Sequence, residues 1–282
     1  MAVIATGFFD GVHLGHRVVL DALLSEAARR GEQALVISFW PHPRAVLQDG
    51  ARDLRLLTPQ EEKLSLLSAC GVDRTVVLPF SREFAAMTAE TFISDILVAD
   101  HDCHCLVVGY DTRMGADRLG PTDIARLFPE TVICPPRAGA PVSSTRIRRL
   151  LAGGDVEQAA ALLGRPYALR GAVVAGNQVG RTIGFPTANM KLYEPLQLIP
   201  GVGAYLTEVD APGFHGYGMT NIDAATKIET HILDFSDWIY GRDLRIRFLE
   251  RLRDEHRFAG LADLQAQLQR DLAECRRRVA SR

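Results

Sequence analysis

Three clusters of polar residues in this chain have the types and spacing that phosphate chemistry needs. The first is "TGFFDGVHLGH", Thr6–His16, directly after the apolar run "AVIA". If that run is a strand and a helix follows, the free N–H groups and positive potential of a helix start lie here, which suits a phosphate. Gly11 and Gly15 let the backbone come close, and Gly7, Phe8 and Asp10 complete the loop. His13 and His16 are three apart, so they share a helix face and can both donate hydrogen bonds to developing negative charge. Alone, the same residues also read as an ordinary helix cap with solvated histidines.

The second cluster is "VSSTRIR", Val142–Arg148, about 130 residues further on. Ser143, Ser144 and Thr145 put hydroxyls ahead of a helix, and Arg146 falls in its first turn. A cation there opposes the helix dipole unless an anion lies beside it. The bland alternative is a serine-rich cap. The third cluster is "GRTIGFPTANM", Gly180–Met190. Thr187 and Asn189 face the same side of an extended segment. Their neutral oxygens can complete the shell of a hydrated Mg²⁺ that keeps phosphate ligands, whereas a plain Gly-Pro turn is the alternative. Further on, Glu229 in "IETHILDF" is a carboxylate that can accept a proton, or simply an outward-facing strand residue. "HDCHC", His101–Cys105, reads either as metal ligands or as a turn entering the strand "CLVVG".

The elements that must position these residues change character along the chain. Up to about residue 150, strand-like apolar runs alternate with amphipathic helices, as in "AVIATGF", "HRVVLDALLSEAARRG" and "ALVISF". That alternation predicts a parallel sheet covered on both faces. Thr58 and Pro59 are expected as N-cap and first residue of the helix "TPQEEKLSLLSACG". "SSTRIRRLLAGG" and "DVEQAAALLG" are expected to close this half as helices. After Gly164 the strand-like stretches "YALRGAVVAG", "GAYLTEVD", "HGYGMTNI", "KIETHILDF" and "DLRIRFLERL" follow one another, and helical periodicity returns only at "LADLQAQLQRDLAECRRR". The expected fold is therefore an α/β Rossmann-like domain over 1–163, followed by a small antiparallel β-barrel with a C-terminal helix over 164–282.

The 282 residues suffice for two such cores, and the −2 net charge carries no nucleic-acid footprint. No apolar run reaches 18 residues and no signal-peptide pattern opens the chain, so neither a membrane span nor a targeting segment is expected. Five scattered cysteines fit a reducing, cytoplasmic setting. The arginines of "ECRRRVASR" are expected at the solvated end of a helix, where cations suit the dipole.

Taken together, H-x-G-H and S-S-T-x-x-R resemble the signatures of the nucleotidylyltransferases. More narrowly, the chain resembles the bifunctional prokaryotic riboflavin kinase/FMN adenylyltransferase (FAD synthetase) family. "GFFDGVHLGHR", "SFWPHPRAVL", "VVGYDTRMGADRLG" and "VSSTRIRRLLAGGDVEQAAALLGRPY" carry that resemblance, with "GRTIGFPTANM" matching the kinase signature G-x-P-T-A-N. It implies an enzyme that phosphorylates riboflavin with ATP and then adenylylates FMN to FAD, releasing pyrophosphate. His13 and His16 would hold the ATP phosphates, and Ser144, Thr145 and Arg146 would grip the triphosphate, with Asp111 near the nucleotide. Pro41 and His42 would lie by the flavin. In the second half, Thr187 and Asn189 would bind Mg²⁺ and Glu229 would be the base. Gly176, Gly180, Arg181 and Gly184 would form the loop over ADP, and Arg253 would be a phosphate contact bordering the flavin. The implied partners are riboflavin, FMN and ATP, with no nucleic acid or membrane; a homo-oligomer is left open. Rival readings are an enzyme with one working half, most simply the kinase, or a flavin-binding regulator. Departures from the family are Thr112 and Met114 where phenylalanines are usual, the absence of a leader, and a link "NIDAATKIETH" about ten residues short.

Overall fold

Strands Ala2–Thr6 (β1), Gln33–Trp40 (β2), Arg74–Pro79 (β3), Cys103–Gly109 (β4) and Thr131–Cys134 (β5) form a parallel sheet in the order β3-β2-β1-β4-β5. The computed structural model describes residues 1–47, 54–139, 141–176, 179–256 and 258–282. Helices Leu14–Arg30 (α1), Pro43–Leu47 (α2), Gln60–Ala69 (α3), Arg82–Ala85 (α4), Ala89–Thr91 (α5) and Pro121–Leu127 (α6) connect the strands, α5 running on into a π-helical stretch, Phe92–Asp100. Alternate strand residues bury opposite faces of the sheet. Val3, Ala5 and Val36 meet Leu20, Leu23 and Leu67, whereas Ile4, Leu35 and Ile37 meet Phe92, Ile93 and Leu97. A sheet buried on both sides is what continuous apolar strands require.

The second unit opens with helices Ser144–Ala152 (α7) and Val156–Leu163 (α8). Six antiparallel strands then close a barrel: Tyr167–Val174 (β6), Ala188–Leu192 (β7), Gly203–Ala211 (β8), Phe214–Ile222 (β9), Ile228–Ile232 (β10) and Asp243–Arg253 (β11), in the order β10-β7-β6-β11-β8-β9. A short helix, Val179–Thr182 (α9), precedes β7, and Leu261–Ala280 (α10) follows β11. Leu264, Leu268, Leu272 and Cys275 of α10 pack against Ile183, Phe185, Leu206 and Met219. The helix end is not simply solvated, because Arg278 and Arg282 both pair with Glu250 of β11.

Three features differ from the sequence expectation. The compact units are Met1–Ser144 and Thr145–Arg282, whereas the change of texture lies near Leu163. The helices α7 and α8 continue the α/β pattern but pack on the barrel. Gly201 N–H donates to the Leu151 carbonyl at 2.8 Å, and Arg251 donates to the Gly153 carbonyl at 3.3 Å. Secondly, β7 is a paired strand of the barrel, where the sequence reading placed an extended segment without counting it among the strands. Thirdly, Pro59 caps α3, which starts at Gln60, and the Thr58 hydroxyl instead accepts from Gly11 N–H at 3.1 Å.

The short link between β9 and β10 is a closed turn. The Asp223 carboxylate accepts from Ala225 N–H (2.9 Å) and Lys227 N–H (2.8 Å). Cys103 and Cys105 are buried in the first unit; burial pushes the Cys103 thiol up to about 12, so it packs as an apolar group.

Candidate active sites

In an open parallel sheet, ligands bind beyond the carboxyl ends of the strands, where the strand order reverses. Here the reversal falls between β1 and β4. The loop after β1 carries Gly7–His13, and the loop after β4 carries Asp111, whose exposed side chain lies back over Gly109.

The β1 loop is held in an uncommon conformation. Phe9 (φ 54) and Val12 (φ 39) both have positive φ without being glycine. Such residues persist only where their surroundings over-determine them, and they gather at functional sites. The surroundings are visible: the buried Asp10 carboxylate accepts from Leu57 N–H (2.9 Å) and Thr58 N–H (3.2 Å). Asp10 thus shapes the loop through the segment before α3. Beneath Phe8 lies Lys63, only 1% exposed, its ammonium 4.0 Å from the ring centroid and 2.9 Å from Ser38 Oγ. Sequence reasoning did not single out Lys63. A lysine on the inward side of α3 was the available signal. Burial lowers its pKa to about 8.

His13 caps α1, its Nδ1 accepting from His16 N–H at 3.2 Å. Nδ1 is therefore unprotonated and the ring proton sits on Nε2. The ring is not solvated: it is 4% exposed and stacks on His16 at 3.6 Å between centroids. Phe9 meets His16 edge-on at 5.2 Å. His16 Nδ1 is buried with no hydrogen-bond partner. Desolvation first, then the neighbouring His13, pushes the His16 pKa well below the usual histidine value. Gly15 is required by close approach, since a Cβ would stand 3.1 Å from both His13 Cε1 and the Val142 carbonyl. Ser144 Oγ donates to the Asp10 carbonyl at 3.0 Å. Thus Ser143 and Ser144 adjoin the histidine loop within the first unit, and Thr145 and Arg146 follow in the first turn of α7.

A cavity of about 440 Å³ lies beside this loop, lined by Phe8, Phe39, Phe84, Met114, Arg113 and Arg118. Gly7 and Thr112 also line it. Pro41 is exposed and does not reach it, whereas Pro43 does. The His42 ring lies 4.2 Å from that of Phe8, between centroids.

In the barrel, Glu229 of β10 pairs with Asn189 of β7 on one side and Asn221 of β9 on the other. Neighbours Ile228 and Thr230 point inward and are buried, so Glu229 and Asn189 face outward together. Gly176 fits against Asn189: a Cβ there would lie 2.2 Å from Asn189 Nδ2. The loop glycines serve different ends. Gly180 packs on the Phe185 carbonyl, and Gly184 (φ 83) turns the chain in open space. One cavity of about 240 Å³ is lined by Arg181, Thr187, Asn189, Trp238, Ile239 and Tyr240. A second, of about 290 Å³, is lined by Thr187, Asn221, Glu229, His231, Arg253 and Phe258. Thr187 borders both. Arg253, expected as a phosphate contact, bonds the buried Asp271 of α10 through Nε and Nη2 at 2.9 and 2.8 Å and lines the second cavity. That ion pair ties α10 to the cavity wall.

Comparisons with known proteins agree with both halves. A family model described as FAD synthetase matches residues 1–133, and one described as riboflavin kinase matches residues 163–279. The chain is 38% identical to the bifunctional riboflavin kinase/FMN adenylyltransferase of Listeria monocytogenes, over 97% of this chain and 91% of that one. It is also 38% identical to the protein of the same name from Escherichia coli (strain K12), over 95% and 90%. A crystal structure named macrolide-efflux protein, from Streptococcus pneumoniae, superposes with a TM-score of 0.90 at 30% identity, covering 98% of this chain and 93% of that one. Among the described residues of the present chain, no helix is long and apolar enough to cross a membrane.

Proposed function

This chain belongs to the bifunctional riboflavin kinase/FMN adenylyltransferase family, and on that premise we propose how its residues divide the two reactions. The enzyme phosphorylates riboflavin to FMN with ATP and adenylylates FMN to FAD with release of pyrophosphate. The kinase step belongs to the barrel and the adenylylation to the parallel-sheet half, 164–282 and 1–163 in our division. The observation that carries this assignment is the pairing of Glu229 with Asn189 on adjacent strands, remote in sequence from the histidine loop.

In the kinase, Glu229 accepts the proton of the riboflavin 5′-hydroxyl as its oxygen bonds the γ-phosphorus and the bond to ADP breaks. Thr187 and Asn189 would hold Mg²⁺. The fit is chemical: two neutral oxygens suit a cation that keeps waters and phosphate oxygens, and the Gly176 backbone leaves the Asn189 amide room that a side chain would fill. When bound, the ion would neutralise charge across the phosphates. The cavity with Trp238 and Tyr240 takes the nucleotide, Arg181 at its rim, and the cavity with Glu229 takes riboflavin.

In adenylylation, an oxygen of the FMN phosphate attacks the α-phosphorus of ATP and pyrophosphate leaves. Neither nucleophile nor base is needed from the protein, so catalysis is positioning and charge stabilisation. His13 donates from Nε2, while His16, neutral in the free protein, presents a ring that gains from an anion beside it. The backbone of Gly11 and Gly15, with Ser143, Ser144, Thr145, Arg146 and Asp111, completes the nucleotide grip. The aromatic cavity with Arg113 and Arg118 receives the flavin, a flat apolar ring bearing an anionic tail. Thr112 and Met114 shape it in place of aromatic rings.

The setting is cytoplasmic. Incubation with riboflavin, ATP and Mg²⁺, with riboflavin, FMN and FAD separated over time, tests the proposal. FMN should appear first and FAD after it. Failure to form either product would overturn it.

A further inference from the structure

The ladder between β7 and β10 stops one pair short of a proline. Its last pair is Ala188 with Thr230, although β10 runs on to Ile232 and stays paired with β9. Continued by register, His231 would face Thr187 and Ile232 would face Pro186. Pro186 has no N–H, so the ladder cannot extend through it. Its carbonyl remains an acceptor, and His231 Nδ1 lies 2.8 Å from it. A carbonyl only accepts, so Nδ1 carries the proton. The ring also meets Phe185 edge-on at 5.2 Å. His231 thus grips the two residues before Thr187 from a position two residues past Glu229, and all three line one cavity with Phe185.

We propose that His231 is a positioning residue of the kinase site, whose Nδ1–H replaces the backbone pairing interrupted at Pro186 and so sets Thr187 in place beside Asn189 and Glu229. The inference rests on the assignment of Thr187 as a cation ligand. Partners that orient metal ligands typically change affinity by about 10–100-fold when removed. The bond uses Nδ1, one atom beyond Cγ, and that makes a sharp test possible. An asparagine carries its amide nitrogen at the same distance along the side chain, whereas a glutamine places its own where Nε2 lies.

The test is Mn²⁺ binding to the full-length protein with ADP present, read from the electron paramagnetic resonance signal of free Mn²⁺, alongside the Mg²⁺ dependence of riboflavin phosphorylation. Thr187→Val identifies the part of the binding that belongs to the barrel. His231→Ala should weaken that part by about 10-fold, His231→Asn should restore it to within about twofold, and His231→Gln should not. FMN adenylylation should stay native in each. If Thr187→Val leaves Mn²⁺ binding unchanged, the assignment of the cation ligand fails and the inference with it. If Thr187→Val weakens binding but His231→Ala does not, the inference alone fails. Should the alanine variant not fold, Asn against Gln decides. Restoration by Gln, or equal loss in both, would mean that His231 does not act through the Pro186 carbonyl.

Discussion

His16 enters the folded protein as a neutral ring, and that shapes how the first site meets its ligand. Burial and the His13 ring both disfavour its cation, yet an arriving triphosphate favours it. Nucleotide binding should therefore raise its pKa and take up a proton. The sign for stability is definite. Below the ordinary histidine pKa the unfolded chain binds a proton at this position that the folded chain refuses, so His16 lowers stability as pH falls and has no such effect above that pKa. His16→Gln should flatten part of the acid loss of stability between about pH 6.5 and 5. Urea unfolding followed by Trp40 fluorescence in a Trp238→Phe background reads the first unit alone. An unchanged pH dependence would mean that His16 titrates normally. At this scale the sequence was half legible. Spacing put His13 and His16 on one face, and they stack. Spacing could not show that His13 caps the helix through Nδ1, nor that Asp10 bonds Leu57 and Thr58 and Arg253 bonds Asp271, since the last three partners are remote in sequence or set by tertiary packing.

At the scale of elements, β7 explains why Thr187 and Asn189 can work together. In "ANMKL" the inward Ala188 and Met190 are buried and Asn189 is turned out, an alternation present in the sequence but hidden by the glycines and proline before it. The outward row meets Glu229 only because β10 pairs in that register; a slip of one residue would turn Glu229 into the barrel. Gly176→Ala should force the Asn189 amide aside, since its Cβ would fall 2.2 Å from Nδ2. We expect the Mg²⁺ requirement of riboflavin phosphorylation to rise by about 10-fold, as for Asn189→Ala. The double substitution should cost no more than either alone, because both remove the same contact. Additive effects would show that Gly176 serves something other than the Asn189 cradle.

For the whole molecule, the order of secondary structure was legible because a doubly buried parallel sheet and an antiparallel barrel write different patterns of apolar residues. The change of pattern falls near Leu163, whereas the compact units divide at Ser144, because helices α7 and α8 continue the first pattern while packing on the second unit. On this assignment the two reactions are separable, each on its own scaffold. The most direct measurement is product analysis of Glu229→Gln beside His16→Ala, each supplied once with riboflavin and once with FMN, together with ATP and Mg²⁺. Glu229→Gln should lose riboflavin phosphorylation by about 10²–10⁴ and still convert FMN to FAD at the native rate. His16→Ala should do the reverse, making FMN normally and losing FAD formation, mainly in kcat. If folded Glu229→Gln lost both activities equally, or if His16→Ala made FAD at the native rate, the assignment of one reaction to each unit would be contradicted.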